Sequence, residues 1–465
     1  MFNLPDCVTM ALSLLYAAGF EGYIVGGCVR DLLMGREVHD WDLTTNAVPQ
    51  EVAAVFRDYK VVETGISHGT VTVLTGSTAL EITTYRIDSE YSDNRHPDSV
   101  SFSRSIGDDL ARRDFTINAI AYSTKNGLVD MFGGQKDIKK GVIRCVGDAS
   151  KRFDEDALRI LRALRFASTL GFTIDEDTAT AIMQKRELLK NISAERINVE
   201  ITKLLCGGGA GQVLRDYRNV LAVPVPELSV MFGFDQKNRH HCYDVWIHTV
   251  VTIEALPQVL ERQSTEVLQR SSKLPYIAEM CSNAVLYWSA LFHDIGKPAS
   301  FTTDEHGEGH FYGHAPAGCE IADTVMRRLR FDNASRERIL QLVKYHDVTI
   351  GTDEKRVKRL LGRFGEQFVR QLTALKRADN LAQSEDYRDR QDRITEVETL
   401  VEDLIARQEC MSLRDLAVNG DDLLALGYTG RTIGNALQML LDAVIDELVL
   451  NERAALLDWL EESGL

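Results

Sequence analysis

Eight cysteines (Cys7, Cys28, Cys145, Cys206, Cys242, Cys281, Cys319, Cys410) are scattered along the chain without a single C-x-x-C pair. That pattern excludes a zinc cluster of the ribbon type and fits reduced thiols in a cytosolic chain. Long hydrophobic runs are missing as well, and none approaches the roughly 20 residues that span a bilayer. The opening MFNLPDCVTMALSLLYAAGFEG has no Lys or Arg before its apolar run and carries Asp6. Its spacing therefore predicts an amphipathic helix of a cytoplasmic chain rather than a signal peptide or membrane anchor. Positive charge is in deficit, with 53 Lys and Arg against 69 Asp and Glu and a net charge of -16. Such a field repels polyanions, so any nucleic-acid contact must rest on local basic surface. No internal repeat marks a solenoid.

What is present is length enough for more than one core: 465 residues, 44% hydrophobic. Up to about residue 145 the segments GYIVGG, HDWDLTT, GTVTVLTG and ALEITTYRI are β-branched, alternating and bounded by turn residues. Beyond about 150, DEDALRILRALRFASTLGF, AERINVEITKLL and NALQMLLDAVIDELVL repeat apolar residues at three and four, as helix faces do. The run CGGGAG (206–211) breaks the first helices, and a turn-rich stretch (412–430) opens a last helical unit.

The stretch VGGCVRDLLMGREVHDWDL (25–43) holds two chemical signals. Gly26 and Gly27 are adjacent with no third glycine in place, so the dinucleotide fingerprint fails. Backbone N–H groups at a helix start after the glycines, with Arg30 one turn inside, still suit a phosphate. In a strand, Asp40 and Asp42 would share one face, about 7 Å apart, with Trp41 on the other. Two Mg²⁺ ions about 3.5–4 Å apart would satisfy both carboxylates; two solvated aspartates on an edge strand are the plainer reading. Glu81, between apolar neighbours on a later strand, is a third carboxylate for the same cluster.

Further on, RRDFTINAIAY places Asp114 and Asn118 four apart, on one helix face, after Arg112 and Arg113. The carboxylate and amide suit sugar hydroxyls and the arginines suit phosphate, unless the segment is only a capped helix. In DEDALR, Glu155 and Arg159 have the spacing of a surface ion pair. An alternative follows from base chemistry. Cytosine and adenine present an exocyclic amine beside a ring-nitrogen acceptor, so an accepting Asp156 with a donating Arg159 would take C and A and reject U and G.

A glycine pair, a helix, D-x-D and a later strand carboxylate form the pattern of polymerase-β-like nucleotidyltransferases. With RRDFTINAIAY and FDEDALRILRALRFA following in register, the first 200 or so residues resemble the class II tRNA nucleotidyltransferase and bacterial poly(A) polymerase family. The resemblance implies an α+β protein: a mixed-sheet nucleotidyltransferase head (1–145), then an all-α neck with the base-recognition motif (146–205), body (206–240), HD domain (241–385) and tRNA-binding tail (386–465). It makes Asp40, Asp42 and Glu81 catalytic. Mg²⁺ would sit on the two aspartates, and Gly26, Gly27, Arg30, Arg113, Asp114, Asn118, Glu155, Asp156, Arg159, Arg162 and Arg165 would bind nucleotide. It also assigns the polar stretch TYRIDSEYSDNRHPDSVSF, with Arg86, Arg95 and Pro97, to a loop needed for switching from C to A addition, and Arg196 to ordering the neck.

His248, His293-Asp294, His314, His346 and Asp379 follow in the order H…HD…H…H…D, which resembles the HD phosphohydrolase superfamily. The resemblance implies a divalent metal such as Mn²⁺, Ni²⁺, Mg²⁺ or Co²⁺ on His248, His293, Asp294 and Asp379, a second on His314 and His346, and Lys297 on a phosphate. A structural role for the domain is the alternative. The run KRVKRLLGRFGEQFVRQLTALKR (355–377) is locally basic and is a candidate phosphate-backbone surface. The tail, ending LLDWLEESGL, resembles bacterial tRNA nucleotidyltransferases rather than the basic extensions of poly(A) polymerases. The expectation is CCA addition to tRNA from CTP and ATP, with phosphatase or 2′,3′-cyclic phosphodiesterase activity in the HD domain. An A-adding enzyme, a poly(A) polymerase and an HD hydrolase with a nucleotide-sensing head are the competing readings.

Overall fold

The protein is described by a computed structural model covering residues 2–463 except 63, 64, 66–68, 77, 89–99, 269–275, 388 and 389. The centre of the expected switching loop, with Arg95 and Pro97, lies outside the described residues. The chain forms two compact units, Met1–Pro226 and Glu227–Leu465.

The first unit is built on a mixed seven-stranded sheet. In chain order its strands are β1 (Gly22–Val25), β2 (Asp42–Thr45), β3 (Lys60–Val62), β4 (Thr70–Thr75) and β5 (Thr78–Thr84); after a separate hairpin of β6 (Arg86–Asp88) and β7 (Val100–Phe102) come β8 (Ala121–Ser123) and β9 (Gly127–Val129). Their spatial order is β3-β4-β5-β2-β1-β8-β9, with β2 and β5 parallel and the other neighbours antiparallel. GYIV is buried at all four positions, as a central strand covered on both faces requires. One face packs Ile24, Leu43, Val71, Leu80 and Ile82 against Leu12 and Leu15 of the Asp6–Ala17 helix and Val52 of the Pro49–Val55 helix. The amphipathic helix expected at the start of the chain is thus a core element. On the other face Tyr23, Val25 and Ala121 meet Tyr85, Leu110 and Val146. Short helices follow, among them Ala149–Glu155, Leu158–Leu170 and Ala194–Leu205.

The second unit is helical, apart from a two-stranded hairpin at Thr302–Thr303 and Gly309–His310. Its principal helices are Val245–Leu268, Tyr276–Phe292, His314–Arg328, Asn333–Tyr345, Glu366–Leu381 and Arg390–Ala406. A further apolar cluster of Leu416, Leu423, Leu440, Leu456 and Leu460 holds the last helices together. Among the described residues no helix is long and apolar enough to cross a membrane.

Candidate active site and metal centre

β1 is followed by Gly26, whose φ of 81° is open to glycine alone. An added Cβ there would also stand 3.0 Å from Nη1 of Arg113. The turn opens the Gly27–Leu33 helix, and Arg30 lies inside it as expected, buried at 9% exposure. Arg30 donates through Nη1 to Oδ1 of Asn118 at 2.8 Å and through Nε and Nη2 to Asp31 at 2.9 Å. Its charge is therefore committed to protein partners, and it locks the glycine turn to the Asn118 segment.

Only the second aspartate of D-W-D is in a strand. β2 starts at Asp42, so Asp40 and Trp41 precede the ladder and the alternation argument does not govern them. Asp42 stands directly opposite Glu81 in the parallel β2–β5 register, and both are exposed. In β5 the neighbours Leu80 and Ile82 face the core, which turns Glu81 to the open face. Desolvation, together with the charges of Glu81 and Asp40, raises the Asp42 carboxyl above its ordinary range against the pull of Arg113. Crowded carboxylates of this kind gain from a divalent cation. Arg113 is held in place by a buried anion that the sequence did not single out. Asp109, fully buried, pairs with Arg112 at 2.6 Å and Arg113 at 3.1 Å and accepts from Thr44 Oγ1 at 3.3 Å.

RRDFTINAIAY does not form the expected helix. Arg112 closes the Ile106–Ala111 helix, and Thr116–Asn118 is one 3₁₀ turn. The reason is local: Phe115 bridges to Cys145, and the Asp114 carboxylate takes the Phe115 N–H at 2.8 Å. Asp114 and Asn118 still meet, with the amide donating to the carboxylate at 3.3 Å. Arg162 grips Asp114 through Nε at 2.8 Å and Nη2 at 2.5 Å. Burial would raise the Asp114 carboxyl, but Arg162 outweighs it and brings it down to about 2. Arg165 pairs with Glu200 at 3.0 Å, and the guanidiniums of Arg30, Arg162 and Arg165 gather over the ring of Phe166 at 5.3, 5.4 and 3.9 Å. Phe166 was legible only as a helix core position.

DEDALR was expected inside one helix, but the helix breaks there. Asp156 adopts extended backbone (φ -138°, ψ 103°) between Ala149–Glu155 and Leu158–Leu170. Its Oδ1 accepts the Leu158 N–H at 3.0 Å, and its Oδ2 pairs with Arg196 at 3.0 Å. Arg159, 8% exposed, pairs with Glu155 at 2.5 Å and donates to the Arg112 carbonyl at 3.0 Å. The accepting carboxylate and the donating guanidinium thus stand three residues apart, on separate anchors.

In the second unit all the expected histidines and aspartates converge. Oδ2 of Asp294 lies 3.4 Å from Nε2 of His248 and 3.2 Å from Nε2 of His293, while its Oδ1 lies 3.8 Å from His314 and 3.7 Å from His346. Asp379 joins the first pair, 2.8 Å from His248. His293, His314 and His346 point Nδ1 at the carbonyls of Ala290, Phe311 and Val343 at 2.7–2.8 Å, and His248 points its own at Ala382 at 3.3 Å. Those carbonyls fix the tautomers, leaving Nε2 lone pairs aimed inward, as metal-ligating histidines are held. Two sets have ligand atoms within 4.8 Å of one another: His248, His293, Asp294 and Asp294, His314, His346. Imidazole and carboxylate donors of this kind would suit divalent ions, and Asp294 belongs to both sets. Lys297 is committed to Asp294 at 2.7 Å and to Gln236 at 2.8 Å, so it orients a ligand instead of lying open to phosphate. His241, which the sequence did not flag, packs edge-on against His248, and burial and then Lys297 hold its imidazole neutral.

The basic run 355–377 is largely neutralised within its own unit. Lys355 bonds the Asp446 carbonyl, Lys358 pairs with Glu354 and Glu409, Arg359 with Asp446, Arg370 with Glu366 and Glu402, and Arg377 with Glu398. It is not the free cationic strip that composition suggested.

Three family models match the chain: a poly A polymerase head domain at residues 22–144, a probable RNA and SrmB-binding site of polymerase A at 171–230, and a putative tRNA nucleotidyltransferase domain 2 at 317–460. The CCA-adding enzyme of Leuconostoc mesenteroides is 52% identical over 203 residues, which are 44% of this chain and 50% of that protein. That of Oceanobacillus iheyensis is 52% identical over 196 residues, 42% of this chain and 48% of that protein. The chain thus spans about half the length of the curated relatives it matches. The solved Bacillus stearothermophilus CCA-adding enzyme in complex with CTP is 27% identical, covers 100% of this chain and 98% of its own, and superposes with a TM-score of 0.66.

Proposed function

We infer that the chain, which is similar to CCA-adding enzymes, adds C, C and A in turn to tRNA 3′ ends in the cytoplasm, from CTP and ATP and without a nucleic-acid template. The observation that carries this reading is the register of Asp42 against Glu81 on an open sheet face, within reach of Arg113 and the Gly26 turn. Asp40 and Asp42 would hold Mg²⁺, with Glu81 completing the carboxylate set. When bound, the ions lower the pKa of the RNA 3′-hydroxyl and neutralise the leaving pyrophosphate. Arg113, steadied by Asp109, stands beside the glycine turn to take the triphosphate. Asp114, kept ionised by Arg162, and Asn118 offer an acceptor and an amide to the ribose hydroxyls. Asp156 accepts from the exocyclic amine of C or A and Arg159 donates to the neighbouring ring nitrogen, each exchanging part of its protein pairing for the base.

The second unit carries a separate centre, which we read as a phosphatase or 2′,3′-cyclic phosphodiesterase. His248, His293, Asp294 and Asp379 would hold one divalent ion, and Asp294, His314 and His346 a second. Bound ions activate water against a phosphoester. Lys297 holds the bridging carboxylate in place from one side.

The two centres separate by mutation. Asp42→Ala is expected to lower nucleotide addition by roughly 10³-fold or more, the scale of losing a transition-state charge partner, while hydrolysis of a 2′,3′-cyclic nucleotide persists. His293→Ala is expected to do the reverse. Loss of both activities in either variant refutes the two-site reading.

A further inference from the structure

We propose that a cavity beside the histidine-aspartate centre binds a second, non-scissile phosphate, so that the centre prefers substrates with at least two phosphate groups; this rests on the phosphohydrolase reading above. The cavity measures about 290 Å³, and the proposed metal ligands His346 and Asp379 line it. That is more than a lone phosphate needs and close to the lower end, about 300 Å³, of small-molecule sites. Lys376 also lines it but is bonded to the His346 carbonyl, so it supports a ligand.

The free charge comes from the Arg390–Ala406 helix. Positions 390, 393, 394 and 397 fall on one face, and all four line the cavity. Ile394 and Val397 are buried at 8% and 1% exposure, whereas Arg390 and Arg393 are exposed. Nearby arginines are neutralised, Arg370 by Glu402 and Arg377 by Glu398. Arg390 and Arg393, by contrast, have no acidic partner among the described residues. The lining sets two carboxylates, Asp347 and the proposed ligand Asp379, against Lys376, Arg390 and Arg393; in a chain of net charge -16, two guanidiniums without an acidic partner among the described residues, at a cavity shared with the proposed metal ligands, are suited to an anion. The scissile phosphate belongs on the metals, and Lys297 is already committed to Asp294, so the arginines are left for another phosphate of the same molecule. That phosphate is either the next diester of an RNA end or part of a polyphosphate.

The test uses the full chain carrying Asp42→Ala, which removes the head's metal site, loaded with Mn²⁺. Isothermal titration compares adenosine 3′-monophosphate, ATP and a triadenylate ending in a 3′-phosphate. At least one of the two multi-phosphate probes should bind about tenfold or more tighter than the monophosphate, the scale of one charge-assisted contact. Arg390→Ala with Arg393→Ala should abolish that margin and leave the monophosphate unchanged, and the double lysine variant should restore part of it. Whichever probe carries the margin identifies diester or polyphosphate. An unchanged margin in the double alanine variant overturns the subsite, even if hydrolysis persists in both proteins. An arginine-dependent margin without hydrolysis of any probe keeps the subsite and refutes the phosphohydrolase reading.

Discussion

Asp114 shows how a single residue links site and stability. Its carboxyl is ionised down to about 2 in the folded chain, against an ordinary 3.8, because the Arg162 guanidinium outweighs the cost of burial. A depressed folded value adds stability that is complete above the unfolded value and is lost as pH falls through the folded one. The contribution is about 2 kcal/mol, present above pH 4 and gone near pH 2. Urea unfolding at pH 5 and pH 2 should show wild type losing about that much more stability than Asp114→Asn; equal losses would contradict the pairing. At this scale the sequence was informative about identity and weaker about company. The aspartate, the asparagine and the arginines were all readable in RRDFTINAIAY and DEDALR, but Asp109 beneath Arg113 and Phe166 beneath three guanidiniums were not. A buried ion pair and an aromatic platform depend on which segments meet in space, which spacing along the chain does not record.

The same limit operates on elements, where the breaks carry the chemistry. The apolar periodicity of DEDALRILRALRFA implied one helix, but the Asp156 side chain takes the Leu158 N–H and interrupts the backbone ladder. The break separates Glu155 from Asp156, so one carboxylate pairs with Arg159 and the other with Arg196. Asp156→Ala removes the proposed acceptor for the base amine together with the carboxylate that takes the Leu158 N–H. It should reduce the preference for CTP and ATP over UTP and GTP by on the order of tenfold, read as competing incorporation rates. A variant that slows all four nucleotides equally would assign Asp156 a purely structural part. GYIV, by contrast, was legible as a strand, although the expected alternation gave way to burial at all four positions because the sheet is covered on both faces. The basic run 355–377 misled in part for a distance reason: Glu354 and Glu366 lie four residues from Lys358 and Arg370, but the second carboxylate on Arg370 lies 32 residues further along.

On the scale of the whole molecule, an acidic chain sets two candidate centres of different donor chemistry in two compact units. The order H…HD…H…H…D was enough to name the six side chains that converge in the second unit, because each residue type is itself the signal; that Asp294 stands between both histidine pairs emerges only in three dimensions. The first centre has open, exposed carboxylates where the second has buried histidines. That contrast suits a site that receives its ions with a nucleoside triphosphate on one side and a site that holds ions by itself on the other. The central claim is ordered, self-limiting addition of C, C and A. Three tRNA transcripts test it directly, ending before the CCA, after its first C and after its second C, each offered one labelled triphosphate at a time. The account predicts C on the first, C on the second and A on the third, with arrest after A. Extension of the third transcript alone, or long A tails on unrelated RNA, would contradict it.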